Sequence, residues 1–486
     1  MNIKSRLSST FSVALLLACM APAWLNAETA TPSARVKPVK SASNMDWWLD
    51  SKFGLFIHWG PSSIAGVEIS WARQTHPFDH EGRLEKIPDE AYDALYKQFN
   101  PVDFDADFIV RTAKEAGMKY IVFTAKHHDG FANWHTKLSD YNIANTPFKR
   151  DICKELADAI HKHGLKLGWY YSTRDWYHPD YLVGDNSKYN DFYHGQIREL
   201  LTNYGEVAVL WFDHVAGKWS DYRFQELFDM VYDLQPAIII NNRAAKFIRR
   251  REAGEPSPEI AALTRGDYDT PEGKVGVFHK EFPWETCMPM SRGPDGRGGW
   301  SYCPEAITAS FEKCAQMLAA CVTGCGNMLL NIGPMASGTL RPEELENLRT
   351  FKSWMKTYGE SIYGTEGGPY ISGQWGGACM KGNKLYLHIF QWDDRKLKLP
   401  ALPREVLHCK ELGGENVTFA QTDVALVLIL KGGKERRTHS VVKLILGEGP
   451  DIPLLPVEEQ ASTEQRKTRV NPMGRCYTNE RKDHGE

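Results

Sequence analysis

Residues Val207–Trp219 read VAVLWFDHVAGKW, and the fold follows from how that stretch is read. An apolar and aromatic run from Val207 to Phe212 enters Asp213; it is too short for a helix of its own and reads as a strand buried on both faces. An acid at the C-terminal end of such a strand is where a parallel α/β barrel displays its reactive groups. Working outward, the same unit recurs. Phe53–Trp59, FGLFIHW, is a buried strand ending in His58. Phe108–Ala116 is a helix closed by Gly117 and followed by the strand Tyr120–Ala125. Asp151 caps a helix with Ile152, Leu156 and Ile160 at helical spacing; Gly164 ends it, and Leu165–Tyr171 is the next strand. Tyr193, Ile197, Leu200 and Tyr204 mark a third helix, closed by Gly205, and Phe224–Leu234 leads to Ala237–Ile240. Helix-then-strand units in succession predict parallel strands with outer helices, a (β/α)8-like barrel over residues 45–365. Its sixth and seventh strands show no clear run. Ala306–Val322 reads as an amphipathic helix and Met328–Ile332 as the last strand.

The flanks differ in character. Lys4 and Arg6 precede the apolar run Phe11–Met20, and Leu25-Asn26-Ala27 offers a small-residue cleavage site, so residues 1–27 read as an export signal of a bacterial protein, too short to span a bilayer. The expected destination is the periplasm or the exterior. Leu16-Leu17-Ala18-Cys19 competes as a lipoprotein box, with a lipid anchor at Cys19. Residues 28–44 are a flexible Ala/Ser/Thr/Pro linker. Beyond the barrel, Lys384–Phe390, Arg395–Leu399, Val417–Ala420, Val424–Leu430 and Val441–Leu446 alternate between Gly, Asp and Pro, which predicts a small antiparallel β-domain over 366–450. Residues 451–486 read as a polar tail. A net charge of −3 gives no basic field for nucleic acid. Of 10 cysteines, removing Cys19 leaves nine at irregular spacing, which is not a disulfide framework. Cys321 and Cys325 have no partner histidines at zinc spacing and read as thiols.

In a barrel the strand ends share one face. His58, Lys126-His127-His128-Asp129, Tyr170, Tyr171, Asp175, Trp211, Asp213 and Asn241-Asn242-Arg243 fall at five consecutive ends. Many donors and acceptors among aromatic walls suit a polyhydroxylated ligand. FGLFIHWGPSS, FTAKHHDGF, LGWYYS, LWFD, NNR and NMLLNIGP, in that order, resemble the successive barrel motifs of glycoside hydrolase family 29, the retaining α-L-fucosidases, and most closely the branch acting on α-1,3/1,4-linked fucose. The resemblance implies a C-terminal β-sandwich, no metal or other cofactor, a fucosylated oligosaccharide or polysaccharide as partner, and a covalent fucosyl-enzyme. It makes Asp213 the nucleophile. Retention requires a second carboxyl group about 5 Å away: Glu272 in GDYDTPE is favoured, and Glu285 in PWETC is the alternative, otherwise a sugar ligand. The resemblance also places His58, Trp71, His127, His128, Tyr171, Trp211 and Arg243 around the sugar. Relatives carry an adjacent Glu-Trp pair where this chain reads Glu68-Ile69-Ser70-Trp71, which leaves the role of Glu68 open. Competing functions are hydrolysis of α-L-galactosides or of sulfated fucans, and sugar binding without catalysis. The linkage, the aglycone and the oligomeric state are not written in the sequence.

Overall fold

The structure, a computed structural model, describes residues 45–74, 86–245, 248, 254–293, 298–414, 417–431 and 439–457. The export signal, Cys19 and the linker lie outside the described residues, as does the chain after 457. No helix among the described residues is long and apolar enough to cross a membrane.

Seven parallel strands form the first sheet: β1 (Phe53–Ile57), β2 (Tyr120–Lys126), β3 (Lys166–Ser172), β4 (Val209–Asp213), β5 (Ile239–Ile240), β6 (Glu285–Pro289) and β7 (Asn327–Ile332). They pair in the order β5-β4-β3-β2-β1-β7-β6. Both faces are buried and the side chains alternate between them. Phe56, Tyr120, Val122, Tyr170, Val209, Trp211 and Leu329 point into one cluster with Trp48 and Tyr268, inside the curl of the sheet. Leu55, Ile57, Ile121, Phe123, Trp169, Tyr171, Leu210 and Phe212 belong to the other, under the helices. Gly54 is required on β1 because a Cβ there would lie 2.5 Å from the Tyr120 ring that fills the interior.

Of the two strands without a clear run in the sequence, the seventh is β6 and the sixth is irregular. Between β5 and β6 runs 267–273, whose backbone bonds to both neighbours: Asp267 N to Ile240 O at 2.7 Å, Asn242 N to Tyr268 O at 3.0 Å, Glu285 N to Asp269 O at 2.8 Å and Cys287 N to Pro271 O at 3.1 Å. Pro271 interrupts the pattern, so the segment registers only as isolated bridges, yet it closes the gap and carries Glu272 on its end.

The predicted caps hold. Asp151 accepts from Lys154 N at 2.8 Å, and Gly164 ends the helix Ile152–His163 at φ 71°. The helix predicted from Ala306 begins later, at Phe311, because Ile307-Thr308 pair with Ser291-Arg292 as a short hairpin and Ser310 supplies the cap. The C-terminal domain has a five-stranded and a three-stranded antiparallel sheet with one apolar core between them. Gly376–Lys381, Val406–Glu411 and the short Glu366–Gly367 belong to the larger sheet and are absent from the sequence reading. Small residues hid the first: a Cβ on Gly377 would lie 2.2 Å from Thr323 Oγ1, so glycine is what lets this strand lie against the barrel helix Phe311–Thr323. The polar tail begins later than residue 451, since Ile452, Leu455 and Val457 pack on the domain core.

Candidate active site

The strand ends converge as the barrel geometry requires. His58, His127, His128, Tyr170, Trp211, Asp213, Arg243 and Glu272 line one cavity, with Phe56, Trp71, His214, Cys287 and Trp300 completing its wall. The cavity is small: all space between its atoms, the open mouth included, comes to about 330 Å³.

Asp213 is held from two sides. Tyr170 donates its hydroxyl to Oδ2 at 2.9 Å and Arg243 Nη1 donates to Oδ1 at 3.0 Å. Burial alone would push the carboxyl up, but the His214 and Arg243 charges and the Arg243 hydrogen bond outweigh it and hold Asp213 well below the usual carboxylate range. Since burial also lowers His214 and leaves it neutral at pH 7, Arg243 carries most of this effect. The same Nη1 donates to Glu272 Oε2 at 2.9 Å. Asp213 and Glu272 are the only carboxylates in the cavity wall among the described residues. Asp213 is buried, whereas the Glu272 side chain is 46% exposed at the mouth.

The NNR motif is the clasp of this arrangement. Asn241 replaces a strand partner for β4, accepting from Phe212 N and donating to Phe212 O, both at 2.9 Å. Asn242 accepts from the Thr270 hydroxyl, and Arg243 Nε donates to the same hydroxyl at 2.7 Å, which ties the Glu272 segment to β5. The Arg243 guanidinium lies 4.6 Å from the centre of the Trp211 ring, which stacks on Tyr170.

The histidines are neutral hydrogen-bonding groups. Burial pushes His58 down to about 4 and His127 and His128 well below their ordinary range. Asn331 Nδ2 donates to Trp300 O at 2.7 Å, so its Oδ1 accepts from His58 Nδ1 at 2.6 Å and Nε2 of His58 is left as an acceptor. Ser172 donates to Arg174 O at 2.8 Å and accepts from His128 Nδ1 at 2.6 Å; His128 Nε2, again an acceptor, stands 3.9 Å from Asp213 Oδ2. His127 Nδ1 bonds the Ser70 hydroxyl at 2.6 Å.

The sequence profile of the α-L-fucosidase family matches residues 20–360. The chain belongs to the α-L-fucosidase family of glycoside hydrolases. Human plasma α-L-fucosidase is 31% identical over 346 residues, 66% of this chain and 69% of that one. Among solved structures, α-L-fucosidase isoenzyme 1 from Paenibacillus thiaminolyticus superimposes with a TM-score of 0.72 at 32% identity, over 83% of this chain and 99% of that one. A family 29 α-L-fucosidase from Bacteroides thetaiotaomicron, captured as a covalent intermediate with 2-fluoro-fucosyl fluoride, gives 0.70 at 26% identity, over 84% and 97%. The (β/α)8-like domain followed by a β-domain is the architecture these relatives share with this chain.

Within this fucosidase two residues expected around the sugar lie elsewhere. Tyr171 points outward beneath the helices, donating to Gln196 Oε1 at 2.8 Å, and its neighbour Tyr170 takes the inward position on β3. Glu285 is fully buried at the first residue of β6, opposite Asn327, and accepts from the Tyr120 hydroxyl; it does not line the cavity, and burial pushes its carboxyl up to about 7. Glu68 is also buried. It binds backbone, accepting from Gly299 N at 2.6 Å and Trp300 N at 3.2 Å, and so fixes the loop that brings Trp300 against His58. Phe56, His214 and Trp300 are cavity residues the sequence reading did not single out. His214, at φ 47°, turns the chain sharply after Asp213. His128, Asp213 and His214 hold metal-type donor atoms within 4.8 Å of one another, but the Arg243 guanidinium already supplies the positive charge beside Asp213.

The tyrosine exchange predicts a contrast. Tyr170→Phe removes a hydrogen bond to a buried carboxylate and is expected to lower kcat/KM on an aryl fucoside about tenfold. Tyr171→Phe is expected to hold kcat/KM within about threefold while losing roughly 1 kcal/mol of stability through Gln196. Equal kinetic losses would overturn the assignment.

Buried titrating groups also set a pH dependence of stability. His58, His194 and His388 are lowered by burial from 6.5 to about 4, and Glu68, Glu285 and Glu344 are raised by burial from 4.5 to about 7. The histidines take up protons on unfolding between about 4 and 6.5, so their contribution is present above 6.5 and is lost as pH falls through that window. The acids release protons on unfolding between about 4.5 and 7, so theirs is present below 4.5 and is lost as pH rises through 7. With His127, His128 and His214 lowered too, the histidine effect is the larger. Calorimetry against pH is expected to show Tm highest near 6.5 and falling on both sides; a monotonic rise from pH 5 to 9 would contradict this.

Proposed function

We propose that this chain is an exported exo-α-L-fucosidase that works with retention, through a covalent fucosyl-Asp213 intermediate and with Glu272 as acid/base. One observation carries the reading: a single nitrogen, Arg243 Nη1, touches an oxygen of each carboxylate at 3.0 and 2.9 Å. The two oxygens are therefore no farther apart than the sum of those distances. That bound on the nearest oxygens favours the roughly 5–5.5 Å of a retaining pair over the roughly 6.5–9.5 Å that makes room for water in an inverting one. Asp213, deprotonated and buried, attacks C1 as the glycosidic C–O bond breaks, and Glu272 at the mouth gives its proton to the departing oxygen. Glu272, now a carboxylate, takes a proton from water; the water oxygen bonds C1 and Asp213 leaves. His58 and His128, as neutral acceptors, accept hydrogen bonds from hydroxyls of the sugar, and the rings of Trp71, Trp211 and Trp300 border its apolar parts. A small cavity closed around the two carboxylates favours removal of terminal residues.

The test is hydrolysis of 4-nitrophenyl α-L-fucoside followed by proton NMR, with and without EDTA. α-L-Fucose as the first product and no effect of EDTA are expected. β-L-Fucose first would refute retention, hydrolysis confined to the α-L-galactoside would refute the substrate, and loss of activity with EDTA would refute metal-free chemistry.

A further inference from the structure

We infer that Trp176 forms the subsite for the sugar to which the fucose is attached, a hexopyranose whose apolar face lies on the indole ring; this rests on the fucosidase reading above. With the fucose in the cavity, the rest of the glycan leaves through the mouth, where the Glu272 side chain is 46% exposed. Trp176 stands one ring beyond two of the wall residues, Trp71 and His128. Its ring centre is 5.4 Å from Trp71, at 78°, and 5.3 Å from His128, at 64°. Both of those line the cavity and Trp176 does not. Trp71 in turn meets His214 at 5.6 Å, and His214 faces both Asp213 and Glu272 electrostatically. Trp176 is only half-buried, and an indole left partly in water beside a sugar pocket offers an apolar face to the next ring.

The ring's position is fixed in advance. Trp176 N donates to His128 O at 2.8 Å. Asp175 next to it forms a buried ion pair with Lys126 at 2.9 Å and accepts from Tyr177 N and His178 N at 3.0 and 2.9 Å, which locks the turn. A Cβ on Gly130 would lie 2.4 Å from Asp175 Oδ1, so glycine is what lets the two loops approach. A platform held this way gives up little entropy when a sugar settles on it. The same loop continues to Leu182 and Val183, 36% and 57% exposed.

The experiment compares wild type, Trp176→Ala and Trp176→Phe on α-L-fucosyl fluoride, whose leaving group cannot reach the subsite, and on a trisaccharide with fucose linked to N-acetylglucosamine. Trp176→Ala is expected to lower kcat/KM for the trisaccharide roughly tenfold more than for the fluoride, mainly through KM, and Trp176→Phe to recover most of the difference. Equal losses on both substrates would show a merely structural tryptophan, and no loss on either would remove it from binding; each outcome overturns the inference. A wild type inactive on both substrates overturns the functional reading, and the subsite with it.

Discussion

Asp213→Ala is expected to lower kcat on 4-nitrophenyl α-L-fucoside by about 10⁴-fold or more, the scale on which removal of a nucleophile acts. The variant should still fold. Asp213 and Glu272 share the buried Arg243 guanidinium, so its loss leaves Arg243 a carboxylate at 2.9 Å and does not strand an unpaired charge. The truncation also opens space beside C1 that a small anion can fill, next to a guanidinium that attracts it. Added azide is therefore expected to restore turnover by direct displacement and to release β-L-fucosyl azide, the anomer opposite to the substrate. A kcat within tenfold of wild type, or an α-azide from this variant, would remove Asp213 from the nucleophile role.

Much of this site was legible because parallel strands write their ends into the sequence. Each of FGLFIHW, YIVFTAK, KLGWYYS and VLWFD is buried on both faces, so each stands out as a continuous apolar run, and the polar group at its end falls on the functional rim. That burial also erased the face of each side chain. Where both faces are apolar, alternation carries no label, and Tyr170 and Tyr171 could not be told apart until Tyr170 was seen to meet Asp213 and Tyr171 to meet Gln196. The segment 267–273 failed for another reason: its pairing depends on side chains from Asn242 and Arg243 rather than on apolar residues of its own, so no run marks it. Trp300 and His214 arrive on loops, which have no period to read. Glu285 shows the opposite error. An acid in the PWETC motif drew a chemical reading, while the structure makes it part of the barrel interior with Tyr120, outside the cavity wall.

The second large effect separates the two glutamates by leaving group. A general acid matters most when the departing oxygen is a poor leaving group, so Glu272→Ala is expected to lower kcat/KM on a fucosylated oligosaccharide by roughly 10²–10⁴. On α-L-fucosyl fluoride, which departs without a strong acid, the first step should survive, whereas the second still needs Glu272 to deprotonate water. The intermediate should then accumulate, giving a burst of fluoride equal to the enzyme concentration followed by slow turnover. Azide needs no base; it should attack the fucosyl-Asp213 ester, abolish the slow phase and yield α-L-fucosyl azide, with net retention after two displacements. The site explains why this role goes to Glu272: its side chain stands at the mouth, open to water and to the leaving sugar, while its Oε2 stays anchored on the guanidinium shared with the nucleophile. Glu285, fully buried, meets neither condition. Rescue of Glu285→Ala to the α-azide, with none for Glu272→Ala, would transfer the acid/base role and refute the geometry argued from Arg243.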